Sequence, residues 1–206
     1  MNHKPVGPSL RHLTEAATGE GNQMKIFVFG GVSPSADPEL VVLGERVGSA
    51  IAAAGHTMLC GGRADGIIGS AIDAAIAEGR SIIGVLDPSM LNQQRLHRGV
   101  NDIRSFDTRE ERRDYLNEEA DAFIALPGGF GTLSELTDII ARRRESSDHK
   151  IIVLLGPERF WQGMEVLVDS MYSSGLISLK DRSLFRYAKT AEQMFVILNT
   201  GSRPSS

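Results

Sequence analysis

The sequence predicts an α/β protein with a Rossmann-like, doubly wound parallel sheet and helices on both faces. Short continuous apolar runs alternate with longer segments of helical period, which is the pattern of parallel strands that are buried on both faces. Gly55, Gly79 and Gly175 stand where helical segments should end, because glycine favours the residue just past a helix. Some of the apolar runs lead into glycine-rich turns, the position at which such sheets bind ligands.

The predicted elements alternate between strand and helix along most of the chain. The strands are read from short apolar runs and the helices from apolar residues at helical spacing. The predicted strands are residues 25–29, 57–60, 81–86, 102–106, 122–126 and 150–155. The predicted helices are residues 38–54, 67–78, 108–119, 132–144, 160–174 and 190–198. Every predicted strand except the third leads toward a helix.

One domain is expected over residues 24–200, because a chain of 206 residues suits a single α/β domain. Residues 1–23 are polar without a sustained period, and residues 201–206 resemble them, so we expect a flexible N-terminal arm and a flexible C-terminal tail. No apolar segment approaches the roughly 18 residues that cross a membrane, and the start lacks the apolar centre of a secretory signal. We therefore expect a cytoplasmic protein without a membrane partner.

Composition argues against two classes of function. The formal net charge of −4 argues against a protein that coats nucleic acid, but it leaves room for a local basic pocket that would suit a mononucleotide. The five histidines show no pair at ligand spacing on one helix, so no metal site is expected. Cys60 is the one cysteine and lies in an apolar run, where we expect a buried strand thiol and not a reactive one.

Three glycine-rich turns, at residues 30–35, 61–69 and 127–131, are the main indication of function. Tight turns from strand to helix need glycine in any case, but three at one sheet edge favour a site where backbone amides and helix amino termini hold an anion. No turn has the spacing of a P-loop or of G-x-G-x-x-G, which favours a ligand smaller than NAD. The candidate phosphate-binding residues in these turns are Gly30, Ser33, Gly62, Gly128, Gly129 and Gly131.

Glu135 lies just beyond the third of these turns. If Thr132 opens the next helix, the two residues match a capping box, in which the glutamate reaches back to backbone amides. The other interpretation is a functional carboxylate, because Glu135 would lie one helical turn from the proposed phosphate cradle.

Arg109, Arg112 and Arg113 lie on the predicted helix that follows the fourth strand. Arg109 and Arg112 are neighbours on one face, whereas Arg113 points roughly 100° further round. Either the three form a solvated face with Glu110 and Glu111, or one of them reaches the ligand.

With these residues in place, the sequence resembles the Lonely Guy family of cytokinin riboside 5′-monophosphate phosphoribohydrolases, often labelled lysine decarboxylase-like. The family signature P-G-G-x-G-T-x-x-E is matched in full by residues 127–135. The R-K pair that precedes the signature is matched by Arg112, with Arg113 in place of the lysine. The resemblance extends over residues 25–179 without evident large gaps.

The resemblance implies an enzyme that cleaves a purine nucleoside 5′-monophosphate, typically of an N6-substituted adenine, into free base and ribose 5-phosphate. It implies that the glycine turn and Thr132 bind the 5′-phosphate, that Glu135 and Arg112 are catalytic, and that Arg113 helps to bind substrate. It also implies a homodimer without a cofactor. The apolar face of the helix from Ile67 to Ile76 could serve as the subunit contact, but the sequence does not separate that role from core packing.

A variant hydrolase recruited to another nucleotide also stays open, because of Arg63 and Arg142 to Arg144. Two functions of other classes are weighed against these. A related carrier, such as a molybdenum cofactor carrier, would bind a phosphorylated ligand without turnover, but it has no need of the pair Arg112 and Glu135. A pyridoxal phosphate decarboxylase needs a lysine for its cofactor, and the sequence shows no lysine in a recognisable cofactor-binding context.

The chain departs from the family pattern at two places. The second turn usually reads G-G-G-x-x-G-L-M-G, but here Arg63 replaces the third glycine and Ile67-Ile68 replace Leu-Met. A cation at residue 63 could add a contact to phosphate or base, or narrow the pocket. The helix after Glu135 continues with A-R-R-R-E-S at residues 141–146 in place of T-W-A-Q-L-G. Substrate choice or assembly could differ there, unless the arginines only suit a helix C-terminus.

Overall fold

The computed structural model describes residues 23–90, 95–146 and 150–201. The predicted arm at residues 1–23 and the predicted tail at residues 201–206 therefore lie outside the described residues, apart from the residue at which each joins them. Among the helices within the described ranges, none is long and apolar enough to cross a membrane.

A seven-stranded sheet, in which all neighbouring strands are parallel, forms the centre of the protein. The strands are β1 (Lys25–Phe29), β2 (Thr57–Cys60), β3 (Ile82–Leu86), β4 (Asp102–Ser105), β5 (Ala122–Ala125), β6 (Ile151–Leu155) and β7 (Arg186–Ala188). Their order across the sheet is β4-β3-β2-β1-β5-β6-β7. The chain thus winds outward from β1 to β4 and then returns to pair β5 with the other side of β1. The predicted fold class is confirmed.

Helices cover both faces of the sheet. They are α1 (Pro38–Ala53), α2 (Gly66–Ala77), α3 (Arg109–Glu119), α4 (Phe130–Glu145), α5 (Glu158–Ser173), α6 (Leu179–Arg182) and α7 (Ala191–Gly201). Successive side chains of a strand point to opposite faces. Ile26 and Val28 of β1 therefore pack into one core with α1, α2 and α7, while Phe27 and Phe29 pack into a second core with α3, α4 and α5.

The predicted elements lie within three residues of the observed bounds, and two short elements have no counterpart in the prediction. One is α6, with four residues, and the other is β7, with three. Arg186 and Tyr187 of β7 are exposed, so this edge strand lacks the apolar run by which the other strands are recognised. The helix α6 is only about one turn long, which is too short to show a helical period.

The helices α1 and α2 pack so closely that two positions of α1 require glycine. A Cβ atom on Gly44 would lie 2.2 Å from the carbonyl oxygen of Ile67, and one on Gly48 would lie 2.0 Å from that of Ala71. Ile67, Ala71 and Ile72 are all buried in this core. The apolar face of α2 is therefore used for packing inside the chain, and the expected homodimer stays a prediction.

We expect Gly48→Ala to destabilise the protein by about 2 kcal/mol, because the added methyl group must push α1 and α2 apart and overpacking typically costs about 1–3 kcal/mol. Gly163 provides a matched control, since it lies inside α5 and a Cβ atom there would meet nothing within 4 Å. Gly163→Ala should raise stability by up to about 1 kcal/mol, because alanine favours helix. Urea denaturation gives both free energies of unfolding, and equal effects would show that the α1–α2 contact has room.

Candidate active site

A cavity of about 730 Å³ opens at the carboxyl edge of the sheet. It includes the end of β1 and the turn that follows the neighbouring strand β5. The strand order reverses between these two strands, which is where doubly wound sheets bind their ligands. Its volume falls in the range of small-molecule sites. All three glycine-rich turns contribute to the lining, together with Arg112 and Glu135. The contributing residues of the turns include Gly30, Gly31, Ser33, Gly61, Arg63, Gly128, Gly129 and Gly131, and Thr132 follows the third turn.

Gly31 joins the three turns through backbone hydrogen bonds. Its amide donates to the carbonyl oxygen of Pro127 at 2.8 Å, and its carbonyl oxygen accepts from the amides of Ile67 at 2.9 Å and Ile68 at 3.3 Å. These bonds occupy amides in the first turn of α2. The second glycine-rich turn therefore does not present the open helix terminus that an anion cradle requires.

The amino terminus of α4 stays open toward the cavity. At α1, the side chain of Asp37 accepts from the amide of Glu39 at 2.9 Å and caps the helix. At α4, Gly129 is the N-cap and no side chain caps the helix. A Cβ atom on Gly129 or Gly131 would meet nothing within 4 Å. The unpaired amides and the positive end of the helix dipole at this terminus suit an anion.

The helix α4 begins two residues earlier than predicted, which changes the interpretation of Glu135. With Gly129 as the N-cap, Thr132 is the third helical residue, so Thr132 and Glu135 do not form a capping box. Thr132 is instead buried, and its hydroxyl oxygen would lie only 2.1 Å from a Cβ atom on Gly128. The capping interpretation of Glu135 is wrong, and position 128 requires glycine for the close approach of Thr132.

Arg112 and Glu135 form an ion pair in the wall of the cavity. Nη1 of Arg112 donates to Oε1 of Glu135 at 2.8 Å, and Nε of Arg112 donates to the carbonyl oxygen of Val85 at 2.8 Å. The guanidinium also lies over the ring of Phe27, with Cζ 5.8 Å from the ring centroid. The Arg112 side chain is 3% exposed and that of Glu135 is 20% exposed. The arginine is therefore fixed inside the protein, while the carboxylate remains accessible to a ligand.

The other two arginines of α3 do not line the cavity. The side chain of Arg109 is 62% exposed, as a solvated face predicts, whereas that interpretation is wrong for Arg112. Arg113 is turned toward α4 and approaches Asp138 at 3.4 Å. Because it points away from the cavity, the geometry does not support the expected role of Arg113 in substrate binding.

Of the predicted phosphate-binding residues, Ser33 lines the cavity and Gly62 does not. Ser33 is exposed in the cavity lining, with its hydroxyl oxygen 2.9 Å from that of Ser35. Gly62 does not line the cavity; it has a φ of 66°, and its amide donates to the sulfur of Cys60 at 3.4 Å. Gly62 is therefore needed for the turn, and its amide is already used. Burial raises the pKa of the Cys60 thiol to about 12, as fits the predicted buried strand thiol.

The arginine run at the end of α4 connects this helix to α3 through Arg142 and to α6 through Arg144, and it does not line the cavity. Nε of Arg142 donates to Asp138 of the same helix at 3.1 Å, and Nη1 donates to Asp114 of α3. Arg113 approaches the same Asp138 carboxylate. These contacts fix α3 against α4 close to the pair of Arg112 and Glu135. The family departure at residues 141–146 thus affects helix packing and makes no direct contact with the cavity.

Met90 and Arg95 line the cavity but are not predicted from the sequence. They belong to the connection between β3 and β4, at residues 87–101, which shows neither a motif nor a period. The connection reaches the site because Leu96 pairs with Arg63 in an isolated antiparallel bridge. No sequence pattern predicts the contact between Leu96 and Arg63.

The fold and the cavity define a Rossmann-like protein with its candidate ligand site at the switch point of a doubly wound sheet. The chain belongs to the Lonely Guy family, since the family model described as "Possible lysine decarboxylase" matches residues 68–198. A cytokinin riboside 5′-monophosphate phosphoribohydrolase of Mycobacterium marinum is 31% identical over 163 residues, which cover 79% of this chain and 87% of the relative. A probable enzyme of the same name from Oryza sativa subsp. japonica is 27% identical over 170 residues, with coverages of 82% and 69%.

Solved structures with a similar fold include the molybdenum cofactor binding protein of Rippkaea orientalis. It superposes with a TM-score of 0.66 at 22% identity, over 87% of this chain and 97% of that chain. The molybdenum cofactor carrier protein of Chlamydomonas reinhardtii superposes with a TM-score of 0.66 at 19% identity, over 87% and 98%. At these identities the likeness concerns the fold alone.

Proposed function

We propose that the protein is a phosphoribohydrolase, which hydrolyses the N-glycosidic bond of a purine nucleoside 5′-monophosphate and releases free base and ribose 5-phosphate. The observation that carries the proposal is the ion pair of Arg112 and Glu135, which lies beside the cavity about one and a half helical turns beyond the open terminus of α4. The relatives' names, cytokinin riboside 5′-monophosphate phosphoribohydrolases, make an N6-substituted adenine the first base to test.

In this proposal the amino terminus of α4 holds the 5′-phosphate. The amides of residues 129–132 and the bare backbone of Gly128 supply donors, and Gly30 and Ser33 line the same cavity. The helical rise puts Glu135 roughly 5 Å further along α4 than Thr132. A ribose attached to a phosphate at the helix terminus can therefore bring its C1′ atom to the carboxylate.

Glu135 supplies the charge and the base that the reaction needs. Breaking the bond between C1′ and the base nitrogen develops positive charge on the ribose, which a carboxylate stabilises while it accepts a proton from the attacking water. The water oxygen bonds to C1′, and the electron pair of the broken bond leaves with the base, which takes up a proton. Arg112 holds the carboxylate by the rigid fork of its guanidinium. The step uses no metal, and within the described residues no group of His, Cys, Asp and Glu is placed to hold one.

The second candidate function is a carrier that binds a phosphorylated ligand without turnover. It is favoured by the fold likeness to proteins titled molybdenum cofactor binding and carrier proteins. Against it, a carboxylate close to a phosphate site repels the ligand, and a carrier that performs no chemistry gains nothing in return. A decarboxylase that uses pyridoxal phosphate is not proposed, because that chemistry needs a lysine and none of the described residues in the cavity lining is one.

A product assay tests the proposal. The purified protein is incubated with isopentenyladenosine 5′-monophosphate, AMP, GMP or CMP, and free base and ribose 5-phosphate are followed by chromatography. We expect purine release in step with ribose 5-phosphate, and much slower release from adenosine, the matched substrate without a phosphate. Absence of base release from every nucleotide, with binding retained, would favour the carrier.

A further inference from the structure

Two arginines line the cavity beside β2 without an acidic partner. Arg63 belongs to the turn after β2, and Arg95 belongs to the connection between β3 and β4. The Nε atom of Arg63 is buried and has no hydrogen-bond partner. Neither side chain makes a hydrogen bond or ion pair with any residue in the described part of the chain. A buried donor without an acceptor is unfavourable, so this end of the cavity is built to receive acceptor atoms.

Backbone contacts hold the two arginines next to each other. The residue after Arg63, Ala64, donates its amide to the carbonyl oxygen of Arg95 at 2.9 Å, and His97 donates to that of Gly62 at 2.8 Å. The antiparallel bridge between Arg63 and Leu96 lies between these bonds. Both guanidinium groups therefore extend from one short, hydrogen-bonded piece of backbone.

The position of residues 62–64 and 95–97 relative to α4 indicates that they face the base of a bound nucleotide. This step rests on the proposed function. The strands β5 and β2 are separated by β1 alone, so their ends lie about 10 Å apart. The pair of Arg112 and Glu135 reaches toward β2, because a Cβ atom on Gly61 would lie 3.8 Å from Nη2 of Arg112. With its phosphate at α4 and its C1′ atom at Glu135, a nucleotide would direct its base toward Arg63.

We propose that Arg63, supported by Arg95, selects 6-oxopurine nucleotides such as GMP and IMP over 6-aminopurine nucleotides such as AMP. Arginine can donate two hydrogen bonds to the O6 and N7 atoms of guanine, whereas adenine places an amino donor where guanine has O6. An amino group there would need an acceptor. The carboxylates that line the cavity within the described residues are Glu135, which is paired with Arg112, and Asp37, which caps α1.

Substrate ratios measured on single proteins test the proposal. For the wild-type protein we expect kcat/KM for GMP and IMP to exceed that for AMP by about tenfold or more. Arg63→Gln should bring this ratio close to one, and Arg95→Gln should lower it less. Arg98→Gln is the matched control, because Arg98 is an exposed arginine of the same connection outside the cavity. Since each ratio compares ligands on one protein, partial loss of folded protein does not alter it.

Binding measurements distinguish a failure of base selection from a failure of the proposed function. Calorimetric titration of the wild-type protein and of Glu135→Gln with GMP and AMP should give the same ranking as the kinetics. A GMP preference that depends on Arg63, without base release, would contradict hydrolysis and support base selection. Base release with AMP equal to or better than GMP would overturn base selection and keep hydrolysis. Base selection would also be overturned if adenosine 3′,5′-bisphosphate bound more tightly than GMP and this binding depended on Arg63. The two arginines would then bind a second phosphate.

Discussion

Glu135→Gln is expected to lower kcat/KM for base release by about 10²–10⁴-fold, the range typical of a lost general base. Glutamine keeps the size of the side chain and an oxygen that can accept from Arg112, so the fold should change little. The negative charge that stabilises the ribose cation is lost, and no group remains to take the proton from water. Nucleotide affinity should be retained or rise, because an amide does not repel the phosphate.

Steady-state release of base and calorimetric titration with AMP and GMP measure the two sides of this expectation. Glu145→Gln is the matched control, since Glu145 is exposed on the same helix and lies about 15 Å further along it. The control should behave like the wild-type protein. A wild-type rate in Glu135→Gln would remove Glu135 from the reaction and show that another group activates the attacking water.

Arg112→Met is expected to reduce stability and activity together. The free energy of unfolding should fall by about 3 kcal/mol, because the substitution leaves the carboxylate of Glu135 and the carbonyl oxygen of Val85 without their donor inside the protein. The value of kcat/KM should fall about 100-fold, because the carboxylate is no longer held in its productive position. Urea denaturation and the base-release assay measure the two effects on the same preparation.

Arg109→Met is the control for this second prediction. Arg109 lies on the same helix but is mostly exposed, and its guanidinium comes no closer than 3.9 Å to Asp87, so we expect a change in stability within about 0.5 kcal/mol. Arg112→Lys should recover part of the lost stability, because lysine keeps the charge without the two-pronged geometry. If Arg112→Met and Arg109→Met were equally stable, the buried ion pair would contribute nothing to the fold.

The central sheet could be predicted because its strands are buried on both faces and so read as continuous apolar runs. The sheet contains all of the predicted strands and, within the described residues, one more strand, β7. The exposed residues of β7 give no such apolar run. Glycine in the sequence was less informative about function. Gly62 and Gly128 look alike in sequence, yet one allows a positive φ while the other allows a close approach of Thr132. Only tertiary contacts distinguish these uses.

The candidate site could be predicted in part. Helical spacing places Arg109 and Arg112 on one face but does not say which of them turns inward. The family motif is what indicates Arg112 as the functional arginine. The structure explains that choice, since Arg112 reaches the carbonyl oxygen of Val85 at the end of β3. The start of α4 could not be predicted, because Thr132 suits an N-cap locally while packing against Gly128 places it inside the helix.

The two ends of the cavity differ in how readily they tolerate mutation. One end is formed by the turns after β1 and β5, and the other by the connection between β3 and β4. Gly31 and Pro127 belong to turns that continue the central strands β1 and β5, so an insertion there would disturb the core. The described residues of the connection meet the opposite wall through the backbone of residues 62–64, and connecting segments tolerate changes in length and sequence. Under the proposed function, mutations in this connection change which base is accepted and leave unchanged the residues that we propose bind the phosphate and react.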